Sequence, residues 1–121
     1  MTLPILQVAQ TIDNEYKELN VFTNEVPAEF ISLPKLPICR VSELDMRYST
    51  YASENPNYYD TYIQVDIWLS SLADVEKYYL AIDATMRADN VQCTYSTQTY
   101  DPDLEGSYRI VKRYVISNRV V

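Results

Sequence analysis

The sequence contains no histidine and a single glycine, Gly106. Without histidine there is no Ser-His-Asp or Cys-His arrangement, no common His-containing zinc site, and no side chain that ordinarily exchanges protons near neutral pH. With one glycine, neither a phosphate-cradling loop nor a dinucleotide fingerprint can be written. Cysteine is scarce too. Cys39 and Cys93 have no short-range pairing motif, and in a chain large enough to be stable without a cross-link they read as buried thiols of a reducing compartment. A nucleophilic thiol would need a neighbouring base or a helix N-terminus, and both cysteines fall in predicted strands. No apolar run approaches the ~20 residues of a membrane span, and the N-terminus lacks the basic region and apolar run of a secretion signal. These absences point away from an enzyme and toward a protein made in the cytoplasm that uses no cofactor and no metal.

What is present is a globular composition. The 121 residues are 47% hydrophobic and 22% charged, which suits one domain spanning residues 1–121 around one core. A net charge of −7 argues against a partner that is nucleic acid recognised by sequence or an anionic membrane. That charge is segregated: residues 1–60 hold four bases against nine acids, whereas Arg109, Lys112, Arg113 and Arg119 place four bases and no acid in the last thirteen residues.

Ile5, Val8, Ile12, Tyr16 and Leu19 recur at spacings of three and four, which predicts an N-terminal helix with Thr2 as its cap and Pro4 in its first turn. Leu72, Val75, Tyr79, Ile82 and Met86 repeat the pattern, with Ser71 and Asp74 placed as a capping box. Between them Pro27, Pro34 and Pro37 predict an irregular connection over 24–36. Residues 38–44 read as a strand. Residues 61–69 alternate, with Ile63, Val65, Ile67 and Leu69 inward and Tyr62, Gln64, Asp66 and Trp68 outward. Residues 91–100 and 108–116 form a predicted hairpin around the turn Asp101-Pro102-Asp103-Leu104-Glu105-Gly106. Because Ile110 and Val111 are adjacent, as are Val115 and Ile116, the last strand is either covered on both faces or switches register at a bulge near Lys112. The expected fold is α+β, an antiparallel sheet of about four strands with two main helices on one face.

Three features invite a functional reading. Asp101-x-Asp103-x-Glu105-Gly106 is like the start of a calcium loop, but Lys112 stands where a bidentate glutamate belongs, so an acidic hairpin turn is the better reading. Residues 48–62 carry Tyr48, Tyr51, Tyr58, Tyr59 and Tyr62; as a long loop they make a protein contact surface, and as a hairpin they lie on their own sheet. Arg109 and Arg113 belong to the basic stripe, which is a solvated edge strand, a charge-complementary subunit interface or a nucleic-acid contact.

The N-terminal helix, the Pro-rich connection, the strand Tyr62-Ile-Gln-Val-Asp-Ile-Trp-Leu69, the helix containing Ala81-Ile82-Asp83-Ala84-Thr85-Met86, and the hairpin ending Tyr108-Arg109-Ile-Val-Lys-Arg113-Tyr114 together resemble the tail terminator or tail completion proteins of long-tailed bacteriophages, small minor tail components. The resemblance runs over nearly the whole chain and rests on order and length. It implies a virion protein that forms a homo-oligomeric, commonly hexameric ring, docks on the tail tube protein and offers a surface to head-tail connector proteins, with no catalytic residue. A head-closure or neck protein is the near alternative. From another class, a small ligand-binding or regulatory module would use the tyrosines as a pocket wall.

Overall fold

The computed structural model describes residues 2–52 and 55–120. The chain forms α1 (Pro4–Glu15), β1 (Asn20–Thr23), two short 3-10 turns (Ala28–Phe30 and Leu33–Lys35), β2 (Ile38–Ala52), β3 (Asn55–Leu69), α2 (Leu72–Tyr79), α3 (Ala81–Ala88), β4 (Gln92–Thr99) and β5 (Tyr108–Arg119). No helix among the described residues is long and apolar enough to cross a membrane.

The fold is α+β, but the sheet has five strands rather than about four, in the order β1-β2-β3-β5-β4. The additional strand is β1, which pairs in parallel with β2 from Asn20↔Ile38 to Thr23↔Val41, so the sheet is mixed instead of antiparallel. Four residues carry too little periodicity to announce a strand. What makes them one is the return of the Pro-rich connection, which leaves Ile38 beside Asn20. The Asn20 side chain secures that return by donating to the Lys35 and Pro37 carbonyls.

The alternation expected of residues 61–69 holds on its inward side. Ile63, Val65, Ile67 and Leu69 are buried with Cys39, Val41 and Ile110 against Val8 and Ile12 of α1 and Val75, Tyr78, Ile82 and Met86 of the second helical segment. The helices therefore cover one face of the sheet. Pro4 opens α1 at N1, but the cap residue is Leu3 and no side chain caps it, so Thr2 does not have the role its position suggested. Ser71 does cap α2, accepting from the Asp74 amide. The second helix is divided at Leu80 into α2 and α3, and the division turns its apolar face. Tyr78 is buried where Tyr79 was expected, Tyr79 is only partly buried, and Leu72, also expected inward, is exposed, as is Leu80.

The register of β5 against β3 is continuous from Leu69↔Tyr108 to Tyr58↔Arg119. β5 carries no bulge against β3, and the register shift beside Lys112 lies in β4, between Cys93 and Tyr95; β5 turns Ile110, Lys112, Tyr114 and Ile116 toward the helices and Val111 toward the opposite face. Lys112 is thus not part of a basic stripe. It is 0% exposed, its Nζ 3.0 Å from Asp83 Oδ2 and 4.1 Å from the centroid of the Tyr79 ring. The Tyr114 hydroxyl donates to the other Asp83 oxygen at 2.7 Å. Burial first, and the Asp83 carboxylate second, push the Tyr114 phenol up, so it stays a donor. At the far end of the sheet Gly106 takes φ +84° in the β4–β5 turn, where a Cβ would come 3.3 Å from Leu33 Cδ1.

Candidate interaction surface

The tyrosine-rich segment is not a loop. β2 and β3 pair along their whole length to Ala52↔Asn55, with one register shift between Glu43 and Asp45. Pro56 and the flanking asparagines suggested a loop, but Pro56 sits near the tip of the hairpin, where a missing N–H is tolerated. Tyr, Thr and Ser on either side suit a pleated surface. Pairing with β1 stops at Val41, so beyond that point β2 and β3 form an arm whose β2 flank is unpaired among the described residues.

On the arm the expected contact residues divide between two faces. Tyr48 pairs across from Tyr59 on the helix side, with Tyr48 exposed and Tyr59 half-buried. With Met46, Thr2, Gln7 and Val120 they line an open groove of about 760 Å³, not a closed pocket. Tyr58 points to the opposite face and is exposed. The side chain of Tyr51 lies outside the described residues.

Arg109 and Arg113 lie on that opposite face, with Gln64, Asp66 and Trp68. Asp66 is 0% exposed although it points away from the helices. Two arginines converge on it: Arg109 donates through Nη2 at 2.6 Å and Nε at 3.1 Å, and Arg40 through Nη2 at 3.0 Å. Both guanidinium carbons stand 5.3 Å from the centroid of the Trp68 ring, the usual range for cation–π attraction. Gln64 donates to Asp66 and accepts from Arg113, whose guanidinium lies 5.0 Å over the Tyr95 ring on β4. Arg109 is therefore committed to its own fold, whereas Arg113 is exposed. The arm tyrosines and the two arginines do not form one site: Tyr58 lies six residues along β3 from Gln64, about 20 Å at the rise of a strand.

This face is covered at one end by the Pro-rich connection and the β4–β5 turn. Trp68 Nε1 donates to Asp101 at 3.0 Å, and a cavity of about 350 Å³ between Val26, Ile31, Arg40, Trp68, Asp101 and Leu104 lies beside that bond. Burial raises the Asp101 pKa, but the Asp103 amide, the Trp68 indole and the nearby Arg109 and Arg40 outweigh it and hold the carboxyl below its ordinary value. A carboxyl whose folded pKa is depressed stabilises the protein at pH above its unfolded value, and that contribution is lost as pH falls through the folded pKa. The emission of Trp68, the one tryptophan, should accordingly titrate below the ordinary aspartate value and lose that transition in Asp101→Asn. A Trp68 titration unchanged by Asp101→Asn would disprove the coupling.

Asp66, Trp68, Arg40 and Asp101 escaped the sequence reading because an outward position in an alternating strand does not announce that distant segments will cover it. Lys112 had a signal: two residues from Ile110 and two from Tyr114, it is in phase with both along the strand. No protein-family model matches this chain, and no curated protein matches it.

Proposed function

We propose that this chain is a ring-forming structural subunit of a virion, a tail terminator that caps the tail tube and joins it to the head connector. The observation that supports this most is the arm. Leu44, Met46, Tyr48 and Tyr58 are exposed on it, beside a β2 flank that, among the described residues, is unpaired beyond Val41. Glu43, Asp45 and Arg47 guard the start of that flank, but from Tyr48 to Ala52 the sequence holds no charge, and monomeric proteins shorten, charge or cover such flanks because unpaired main-chain groups next to apolar side chains recruit other chains. A subunit of a closed assembly has its neighbours to cover them. The resemblance in element order to tail terminator and tail completion proteins gives the assembly its place at the end of a tail tube, and the −7 charge keeps the free subunit soluble until it assembles.

Light scattering over a concentration series, followed by electron microscopy of the chain mixed with tail-tube protein, tests the proposal. Rings that cap tube ends are the expected result. A strict monomer that neither forms rings nor stops tube growth would sink it.

A further inference from the structure

The cavity of about 350 Å³ beside the Trp68–Asp101 bond is walled by three segments far apart in the sequence, and each is fixed by main-chain bonds. The connection after β1 turns at Asn24, φ +67°, whose amide donates to the Val41 carbonyl at 2.9 Å. The β4–β5 turn is closed by the Leu104 amide on the Asp101 carbonyl at 3.0 Å, and Leu33 of the connection packs against Gly106 of that turn. The floor is the sheet itself, at Ile38 and Trp68. A volume of this size is in the range of small-molecule sites, which combine apolar walls with a few convergent polar groups.

Both kinds of wall are present. Val26, Ile31, Ile38 and Leu104 are aliphatic, and Ile31 is 52% exposed, an apolar side chain that an occupant would shield from water. The polar groups carry both signs. Asp101 has both oxygens engaged, Oδ2 by the Trp68 indole and Oδ1 by the Asp103 amide at 2.9 Å. Glu25 and Asp103 are exposed, and neither enters the ion pairs of the described residues. Arg40 opposes them. Its Nη2 is spent on Asp66, its side chain is still 31% exposed, and its Nε is closed off from solvent without a partner. A guanidinium has more N–H groups than one carboxylate oxygen can use, so Arg40 has donors left for a second anion.

We infer that this cavity binds a small zwitterion with an aliphatic body, the class that includes the free branched-chain amino acids. Its carboxylate lies on Arg40, its ammonium toward Asp103 and Glu25, and its side chain against Val26, Ile31 and Leu104. Charge disfavours the simpler classes. A plain anion would meet the carboxylates of Glu25, Asp101 and Asp103, and a plain cation would meet the Arg40 guanidinium. An uncharged apolar molecule would cover Arg40 donors without offering an acceptor, which costs their hydration. A molecule with both signs on one carbon and a branched apolar chain satisfies every wall. The inference goes beyond the ring-forming reading, and neither assembly nor its failure bears on it.

Titration of the full chain with L-leucine should change the emission of Trp68 saturably at millimolar concentrations, and calorimetry should give the same affinity. Isoamylamine, which lacks the carboxylate, and isocaproate, which lacks the ammonium, should each bind about tenfold more weakly, the loss of one charge-assisted contact. Arg40→Met, which leaves Asp66 its two bonds from Arg109, should abolish the preference for leucine over the amine. Glu25→Gln combined with Asp103→Asn, at two exposed side chains, should abolish the preference over the acid. Thermal unfolding establishes that each variant is folded, and the Glu25 and Asp103 pair serves if Arg40→Met is not. Failure of all three probes to saturate, equal binding of all three by the parent chain, or preferences untouched by these substitutions would overturn the inference.

Discussion

Replacing Asp83 by alanine is expected to destabilise the fold by about 3–5 kcal/mol, the usual consequence of leaving a buried ion without its partner. Lys112 is 0% exposed and has its Nζ on Asp83 and the Tyr79 ring. Without the carboxylate the ammonium keeps only the ring, and the Tyr114 hydroxyl loses its acceptor as well. The reverse substitution, Lys112→Met, should be milder. Asp83 would keep the Tyr114 hydroxyl, and its side chain is 12% exposed, enough for water to reach an oxygen. Replacing all three groups together, as Asp83→Leu, Lys112→Met and Tyr114→Phe, removes both the charges and the orphaned hydroxyl. That variant should recover most of the loss, since a well-packed apolar replacement of a buried ion pair is often neutral or stabilising. Urea unfolding measures the series, with midpoints compared at constant slope. An Asp83→Ala protein as stable as the parent would show that Lys112 finds another partner or leaves the core.

The second large effect is expected at Asp66. Asp66→Ala leaves Arg40 and Arg109, with side chains 31% and 26% exposed, facing each other over one indole with no anion between them. Their partial hydration makes the loss smaller than at Asp83, about 2–3 kcal/mol for charge-assisted hydrogen bonds whose acceptor is removed. Asp66→Asn retains one acceptor and should fall between Asp66→Ala and the parent. Arg40→Met, which leaves the two-point Arg109 contact in place, should be the mildest of the three. Trp68 emission follows the same order, because both guanidinium groups lie against its ring. If Arg40→Met and Asp66→Ala were equally destabilising, the carboxylate would not be the centre of the cluster. The same geometry decides how the basic residues can be used to probe assembly. Arg109→Glu would place a second carboxylate against buried Asp66 and damage the fold, whereas Arg113→Glu alters an exposed charge whose removal leaves Asp66 its own partners.

Legibility in the sequence followed the range of the interactions concerned. The helix over Pro4–Glu15, the Ser71 cap, the inward set Ile63, Val65, Ile67 and Leu69, and the β4–β5 hairpin are all repeated in neighbouring residues, and the structure contains each of them. Tyr48, Tyr51, Tyr58 and Tyr59 were visible as a cluster, but their division between two faces depends on strand pairing, and Pro56 and the asparagines concealed that pairing. The opposite face of the sheet was least legible. Arg109 meets Asp66 across 43 residues, and Trp68 meets Asp101 across 33; no local pattern encodes contacts of that separation.

The absence of histidine and the single glycine, the alternation of residues 61–69 and the helical stripes are properties of the amino-acid order alone. They determine that the chain forms helices and strands around one apolar layer and excludes histidine-dependent and glycine-loop chemistry. Only the tertiary structure decided that Asn20–Thr23 joins the sheet, that Lys112 turns inward to Asp83, that Asp66 is enclosed by two arginines, and that the flanks of the β2 arm and β4 are unpaired among the described residues. The physical reason is that periodicity says which side of an element is apolar, whereas burial, pairing and exposure depend on which distant segment comes to cover that side.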